Sequence, residues 1–142
     1  ARLVARESFL ADTSVFARVS KPAVAAAFAP LVAEGKVAVC APVAFELGFA
    51  ARSPSDYVLL TDRLRAFAQV PTSEGDQRRA LDIQAALAAR SQHRAISLVD
   101  ALVAAVAEAR GLTVLHYDAD FELIASVTGQ PQMWVVARGL AD

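Results

Sequence analysis

The chain has 142 residues and a formal net charge of −1, with 14 basic and 15 acidic side chains. Near-neutrality excludes a polycation of the histone type and an acidic solvating tail, and a hydrophobic content of 56 % excludes a chain that stays unfolded. A chain of this length buries a core of its own, so we expect a single domain over residues 1–142.

The chain has few residues that could form covalent cross-links or structural metal sites. Cys40 is the single cysteine, and only His93 and His116 accompany it, which excludes an internal disulfide and a closed structural zinc site. Apolar runs stay below the ~18 residues that span a bilayer, and the first ten residues lack the apolar stretch of a signal peptide. We therefore expect a cytoplasmic protein with no membrane contact.

Short β-rich segments interrupt stretches of helical pattern. Segments rich in β-branched or aromatic residues predict strands over 8–11, 37–40, 113–117 and 133–136. Apolar spacing and boundary residues predict helices over 24–34, 42–51, 56–70, 77–89 and 98–110, with a last short helix after Asp120. This alternation predicts an α/β fold with a short, mostly parallel sheet of four to five strands flanked by helices. No strand is predicted over 56–89, so an inserted helical hairpin is expected there.

Five acidic residues stand where an unpaired carboxylate is costly to desolvate: Asp12, Glu46, Asp100, Asp118 and Asp120. Asp12 and Asp118 each follow a predicted strand, and open parallel sheets bind ligands beyond the carboxyl ends of their strands. Glu46 projects from the apolar stripe of its helix, and Asp100 lies in the first turn of a helix that is apolar nearly all round. We expect all five at one edge of the sheet.

Other acids, such as Glu34, Asp62, Glu74, Asp76 and Asp82, lie among polar neighbours or on outward helix faces, and we expect them to be solvated. They need no shared explanation.

Gathered carboxylates repel one another, which raises their pKa values or requires cations. The two lysines, Lys21 and Lys36, adjoin none of the five acids. Hard oxygen ligands with few competing histidines or cysteines favour Mg²⁺ or Mn²⁺. One or two such ions suit phosphoryl transfer, because they activate a water and stabilise the leaving oxygen.

Each of these acids also has a structural explanation. Asp12 could cap a short helix, Asp100 fits a capping box, and residues 118–120 fit a turn. Glu46 would need a partner such as Arg52. Five separate explanations are less economical than one shared site, which we therefore favour.

The order of these motifs resembles the PIN-domain family, and within it the VapC-type toxins of bacterial toxin–antitoxin pairs. The resemblance spans nearly the whole chain and rests on residues 9–15 (FLADTSV), 42–47 (PVAFEL), 97–107 followed by Gly111, and 116–121 (HYDADF). The last two motifs together are specific, whereas Asp-Thr-Ser alone is weak. The resemblance implies the three-layer PIN fold.

The resemblance also implies an endoribonuclease that depends on Mg²⁺ or Mn²⁺ and cuts structured RNA such as tRNA or rRNA. Such toxins are inhibited by a cognate VapB-type antitoxin and are usually homodimers, with both contacts placed on the inserted helical pair. Residues 1–7 extend ahead of where many members begin, and no function is attached to them.

The resemblance gives each motif acid a catalytic role through the ion. Asp12, Asp100 and Asp118 would hold the main ion, and Glu46 and Asp120 would complete its shell through water or bind a second ion. Ser14 would lie behind Asp12 as a supporting hydroxyl.

Candidate phosphate-binding residues are Arg52, after the second motif, and Arg90 and Arg94, in the predicted loop before the third. The alternative for each arginine is a solvated surface position. Setting the five acids aside changes the net charge from −1 to +4, so an arginine-rich scaffold would surround an acidic pocket. His116 could assist proton transfer, although a histidine packed on its strand is the favoured interpretation.

Other functions compete with this one. A catalytically silent PIN-fold binding module would keep the acids to stay folded or to hold a partner. A phosphohydrolase of the haloacid-dehalogenase type would use Asp118 and Asp120, but its paired acids follow the first strand and a lysine lies nearby. A response-regulator receiver needs a lysine after a late strand, and both lysines here precede Cys40.

Overall fold

The structure, a computed structural model, describes residues 7–142, so 1–6 of the N-terminal segment 1–7 lie outside the described residues. Five strands and seven helices follow one another within the described part. The strands are β1 (Phe9–Ala11), β2 (Val37–Cys40), β3 (Ala68–Val70), β4 (Thr113–His116) and β5 (Gln132–Trp134). The helices are α1 (Thr13–Phe16), α2 (Pro22–Ala33), α3 (Ala41–Phe49), α4 (Pro54–Leu64), α5 (Glu74–Ala88), α6 (Leu98–Ala109) and α7 (Asp120–Thr128). None of these helices is long and apolar enough to cross a membrane.

All five strands belong to one parallel sheet in the order β3-β2-β1-β4-β5. β1 lies at the centre, where Leu10 is in register with Ala38 of β2 and Val114 of β4. Because the strands are parallel, their carboxyl ends meet at one edge, and the residues that follow β1 and β4 are neighbours.

Helices cover both faces of the sheet, which confirms the three-layer α/β fold. Successive strand residues point to opposite faces. Leu10 packs in a core cluster with Val103 of α6, whereas Ala11 packs in a second cluster with Val15 and Phe28. Each face of the short sheet therefore has its own apolar layer.

The stretch 56–89 differs from the sequence prediction, which expected no strand there. The helix predicted over 56–70 ends at Leu64, and residues 68–70 form β3 on the edge of the sheet beside β2. Phe67, between the two elements, turns to the core and packs its ring edge-on to Phe16, with centroids 5.5 Å apart. A three-residue edge strand has too few residues for its alternation to be distinguished from helical spacing. α4 and α5 consequently flank an edge strand, and the expected uninterrupted hairpin is wrong.

Two predicted helix ends, at Gly35 and Gly111, agree with the structure. α2 ends before Gly35 and α6 before Gly111, and both glycines have a left-handed backbone, with φ of 68° and 67°. Only glycine takes this conformation without strain, which explains why each helix stops there.

One ion pair is buried between the start of α5 and the end of α6. Asp76 is 3 % exposed, and its Oδ2 accepts hydrogen bonds from the Arg110 guanidinium at 3.0 Å and the Ser73 N–H at 2.8 Å. Burial alone would raise the pKa of Asp76, but the bonds from Ser73 and Arg110 outweigh it and lower that pKa. The expectation that Asp76 is solvated is therefore wrong: it joins the two helices.

We expect Asp76→Asn to lower the free energy of unfolding by about 1–3 kcal/mol, because Arg110 loses its charged partner in a partly buried position. The matched control is Glu74→Gln, two residues before Asp76, which removes an exposed ion pair with Arg78. This substitution should lower the free energy of unfolding by under about 1 kcal/mol. Urea denaturation at pH 7 measures both values. Equal losses in the two variants would contradict the structural role of Asp76.

Candidate metal centre

Asp12 follows β1 directly and caps α1. Its Oδ2 accepts hydrogen bonds from the Ser14 N–H at 3.0 Å and the Ser14 hydroxyl at 2.6 Å. The Ser14 oxygen in turn accepts the Tyr117 N–H at 2.8 Å, while the Asp12 N–H donates to the Leu115 carbonyl at 2.9 Å. These contacts hold the ends of β1 and β4 side by side and place Ser14 behind Asp12.

The other carboxylate oxygen of Asp12, Oδ1, is buried and has no hydrogen-bond partner among the described residues. Burial raises the pKa of Asp12; the hydrogen bonds from Ser14 oppose this, and the charges of Asp118 and Glu46 add to it. An acceptor buried without a donor is costly, so this oxygen fits a cation or a proton.

Three further acids form a close triad beside Asp12. One carboxylate oxygen each from Asp100, Asp118 and Asp120 lies within 4.8 Å of the other two. Asp118 follows β4, and its Oδ1 accepts the N–H of Asp120 at 2.9 Å, which fixes the turn into α7. Asp100 reaches the triad from the first turn of α6.

Asp100 also completes the capping box that its sequence position suggested. Its Oδ2 accepts the Ser97 N–H at 3.2 Å, and the Ser97 hydroxyl accepts the Asp100 N–H at 3.1 Å. The capping explanation is therefore correct for this residue, and the same carboxyl group also lies within the triad. The capping box holds the carboxyl group still where the triad needs it.

The electrostatics of the triad favour a bound proton when no cation is present. Burial is the main cause that raises the pKa of Asp100 to about 7, and the Ser97 N–H opposes it. Contact with Asp120 and the charges of Asp12 and Asp118 raise it further. The pKa of Asp120 is also raised, chiefly by burial, while its contact with Asp100 opposes the rise. Asp100 and Asp120 therefore hold a proton more readily than exposed carboxyl groups do.

Glu46 approaches from α3, outside the triad. Its Oε1 accepts a hydrogen bond of 2.5 Å from the Thr13 hydroxyl, and its charge acts on Asp12. Among the described residues it has no ion pair, so Arg52 is not its partner. Sequence reasoning missed Thr13, although its place inside the Asp-Thr-Ser motif was a usable signal.

The three candidate arginines lie on the exposed surface. Arg52 is in the turn between α3 and α4, where its backbone N–H donates to the Asp56 carboxylate. Arg94 is in the loop before α6. Arg90 donates to the Ser126 hydroxyl of α7 at 3.0 Å. Arg90 therefore links the turn after α5 to α7. The side chains of Arg52 and Arg94 form no hydrogen bond with another residue of the described part.

His116 is fully buried at the end of β4, as the strand-packed interpretation expected. Burial is the main cause that lowers its pKa, although the Gln132 hydrogen bond and the charge of Asp118 oppose it. A neutral, enclosed ring of this kind is poorly placed to exchange protons with a substrate.

Tyr117 was not identified from the sequence. Its hydroxyl accepts the N–H groups of Gly139 and Ala141 at 2.6 and 3.0 Å and donates to the Asp142 carboxylate at 2.7 Å. The Arg18 guanidinium lies 4.8 Å from the centre of its ring. Tyr117 therefore fixes residues 139–142 behind the Asp12 side of the site, through contacts too distant in sequence to be predicted.

The donor set suits a hard divalent cation. The triad of Asp100, Asp118 and Asp120 offers only oxygen atoms to an ion, as do Asp12 and Glu46 beside it. None of the five acids forms an ion pair with a basic side chain in the described part of the chain. Together with the unpartnered Asp12 Oδ1, this arrangement fits Mg²⁺ or Mn²⁺.

Comparison with known proteins gives concordant matches. Residues 9–127 match the model of the PIN domain. The chain is 48 % identical over 134 residues to Ribonuclease VapC51 of Mycobacterium tuberculosis, covering 94 % of this chain and 97 % of that protein. It is 42 % identical to Ribonuclease VapC21 of the same species, with the same coverage.

Solved structures share the fold at low sequence identity. The toxin–antitoxin complex VapBC of Salmonella typhimurium bound to DNA contains a chain with a TM-score of 0.74 and 18 % identity, covering 92 % of this chain and 99 % of that one. Mycobacterium tuberculosis VapC20, described as a toxin that cleaves the sarcin–ricin loop, has a TM-score of 0.63 and 20 % identity, with coverage of 82 % and 94 %.

The raised pKa of Asp100 predicts a pH-dependent stability. Between the ordinary carboxyl pKa near 4 and about 7, the folded state binds more protons than the unfolded state, so this residue costs stability as the pH rises. In EDTA we expect Asp100→Asn to gain stability relative to the wild type from pH 4 to 7 and no further above. Urea denaturation at a series of pH values measures this difference. The exposed control Asp62→Asn should show no such gain, and a flat difference for Asp100→Asn would contradict the prediction.

Proposed function

The chain belongs to the PIN-domain family, in the group of the VapC proteins, and from this we propose that it is the ribonuclease toxin of a toxin–antitoxin pair. It would be a divalent-metal-dependent endoribonuclease that hydrolyses phosphodiester bonds in structured RNA such as tRNA or rRNA, and it would act in the cytoplasm. The observation that carries the proposal is the triad of Asp100, Asp118 and Asp120 beside the buried, unpartnered oxygen of Asp12.

The relatives support an RNA substrate. VapC51 and VapC21 are both named ribonucleases, and each aligns with nearly the whole of this chain. VapC20, a neighbour in fold, is described by its cleavage of the sarcin–ricin loop. These names indicate cleavage of RNA, and the acidic site suits hydrolysis of a phosphodiester. We therefore propose that the substrate is an RNA phosphodiester.

In this proposal Asp12, Asp100 and Asp118 hold Mg²⁺ or Mn²⁺, and Glu46 and Asp120 complete the shell or bind a second ion. When bound, the ion would activate a water and offset the charge that develops on the phosphate. The carboxyl groups are already oriented by their neighbours. Those of Asp12, Glu46, Asp100 and Asp118 each accept a hydrogen bond from a hydroxyl or a backbone N–H. Asp120 lies in the turn that its own N–H forms with the Asp118 carboxylate.

The chain's own residues also control the proton at the site. The raised pKa values of Asp100 and Asp120 favour a bound proton, and any such proton must leave before both residues can act as anionic ligands. Ser14 keeps Asp12 in place during this change, because its hydroxyl is bound on the other side by the Tyr117 N–H.

Arginines near the site would bind the RNA backbone. We assign this role to Arg52 and Arg94, which are exposed on the elements next to Glu46 and Asp100, and to Arg90 once it leaves Ser126. Guanidinium groups suit phosphate because they donate two parallel hydrogen bonds.

An exposed aromatic surface suits the antitoxin. Phe45 and Phe49 on α3 are 79 % and 87 % exposed, and with Tyr57 of α4 they border a groove of about 220 Å³. A Cβ on Gly48 would lie 2.9 Å from the Tyr57 ring, so this glycine lets α4 approach α3 closely. Rings this exposed are typical of a surface that a protein partner covers. We assign it to a VapB-type antitoxin, since several neighbours in fold are VapBC complexes.

A second apolar groove supports the homodimer. It has a volume of about 420 Å³ between α5 and α6 and is bordered by the exposed side chains of Leu81 and Leu98. This groove shares no lining residue with the aromatic groove of α3 and α4, so a dimer and an antitoxin need not compete for the same residues.

The test of the nuclease proposal is cleavage of total RNA by the antitoxin-free protein with Mg²⁺ or Mn²⁺. EDTA should abolish cleavage, and Asp12→Asn and Asp100→Asn should each reduce it by at least about 100-fold, because each removes an anionic ligand. The control Asp62→Asn neutralises an exposed aspartate paired with Arg65 and should cut RNA at the wild-type rate.

Other outcomes would select other functions. Cleavage that survives EDTA or either substitution contradicts the metal centre. A folded protein that cuts no RNA indicates the silent binding module. Hydrolysis of a small phosphomonoester with phosphate trapped on Asp118 indicates the phosphohydrolase.

For the antitoxin surface, we expect Phe49→Glu to weaken binding of the cognate antitoxin by at least about tenfold, because it places a charge in an apolar contact. RNA cleavage by the free toxin should not change. Leu140→Glu is the control, since Leu140 is 65 % exposed and lies in the C-terminal segment rather than on α3 or α4. Calorimetry measures the affinities, and equal affinities for the two variants would contradict this surface.

A further inference from the structure

His116 has a defined hydrogen-bonding state because of what each ring nitrogen faces. Its Nδ1 lies 3.0 Å from the backbone N–H of Asp118, and its Nε2 lies 2.6 Å from the side-chain oxygen of Gln132. A backbone N–H can only donate, so Nδ1 must be the acceptor. The hydrogen is therefore on Nε2, where it is donated to Gln132.

The ring is also fixed by its packing. Its centroid lies 5.1 Å from that of Phe121 and 5.0 Å from that of Trp134, and the side chain is fully buried. In the parallel pairing of β5 with β4, Gln132 lies opposite Val114 and Trp134 opposite His116. Gln132 and the His116 ring are therefore on the same face of the sheet, where the Gln132 side chain reaches Nε2. A ring flip would break both hydrogen bonds, so this environment selects one orientation and one tautomer.

The contact with Asp118 is the first of two similar contacts along the chain. The His116 Nδ1 accepts the N–H two residues ahead, and the Asp118 Oδ1 accepts the N–H of Asp120, again two residues ahead. The first contact fixes the position of the Asp118 backbone N–H, and the second fixes that of Asp120. Both residues belong to the triad, so the direction of two of its carboxyl groups follows from the position of the His116 ring.

We propose that His116 is a positioning residue whose Nδ1 lone pair, fixed by Gln132, orients Asp118 and through it Asp120 for the divalent cation. It is neither a ligand nor a proton carrier in this role. The inference rests on the metal centre proposed above, and it concerns a residue that touches no substrate.

Two substitutions separate this role from simple packing. Asparagine places its Oδ1 close to the position of Nδ1 and retains an acceptor for the Asp118 N–H. Glutamine extends toward the position of Nε2 and retains a partner for Gln132, but it leaves the Asp118 N–H without an acceptor. Both variants lose the aromatic ring, so a purely structural role predicts that neither is better than the other at binding metal.

The experiment is calorimetric titration of Mn²⁺ into the wild-type protein, His116→Asn and His116→Gln, with thermal unfolding in EDTA as the measure of folding. We expect His116→Asn to keep the Mn²⁺ affinity within about threefold and His116→Gln to lose at least about tenfold, the range for residues that orient ligands. Equal affinities for the two variants, or a greater loss in His116→Asn, would overturn the proposal.

Two further measurements keep the proposal testable if either variant does not fold. Gln132→Met leaves the ring and its packing but removes the acceptor for Nε2–H, and it should also weaken Mn²⁺ binding; unchanged binding would overturn the role of Gln132. In the unsubstituted protein, the nitrogen NMR signals of His116 should show an unprotonated Nδ1 and a protonated Nε2. A protonated Nδ1 would overturn the inference.

The proposed metal centre and this inference can fail separately. Wild-type protein that binds no Mn²⁺ contradicts the metal centre, whatever the tautomer of His116. Wild-type protein that binds Mn²⁺ while His116→Gln binds it equally well contradicts only the positioning role.

Discussion

Carboxyl groups that repel one another are packed together at the carboxyl edge of this parallel sheet, and much of the structure serves to hold them there. In the described residues no arginine or lysine pairs with any of them. Hydrogen bonds take the place of ion pairs: Ser14 binds Asp12, Thr13 binds Glu46, and the Ser97 N–H binds Asp100. These neutral donors orient the carboxyl groups without cancelling their charge, which leaves that charge available to a cation.

The scaffold limits how far this repulsion can spread the site. β1 and β4 are adjacent and parallel, and the hydrogen bond from the Asp12 N–H to Leu115 holds their ends together. α6 carries Asp100 and is buried along most of its length, and its far end is joined to α5 by Arg110 and Asp76. The acids can therefore relieve their repulsion by binding a proton or a cation more readily than by moving apart.

The sequence was sufficient for the parts of the site that depend on short spacing. Asp12 and Asp118 follow strands that are recognisable by composition, and the helix that carries Asp100 has a capping box and a glycine stop. Contacts between segments distant in sequence could not be predicted from the sequence. Nothing local indicates that Gln132 faces His116 or that Arg110 reaches Asp76, and three residues of an exposed edge strand look like the end of a helix. Such features follow from strand order and packing, which spacing along one chain does not reveal.

We propose that the acids at the ends of β1 and β4 and at the start of α6 form one binding site for a divalent cation. The most direct test is a crystal soaked in Mn²⁺ and measured for the anomalous signal of manganese. We expect a peak in contact with carboxylate oxygens of Asp12, Asp100 and Asp118. A peak at other residues, or no peak within reach of these three at saturating Mn²⁺, would contradict it.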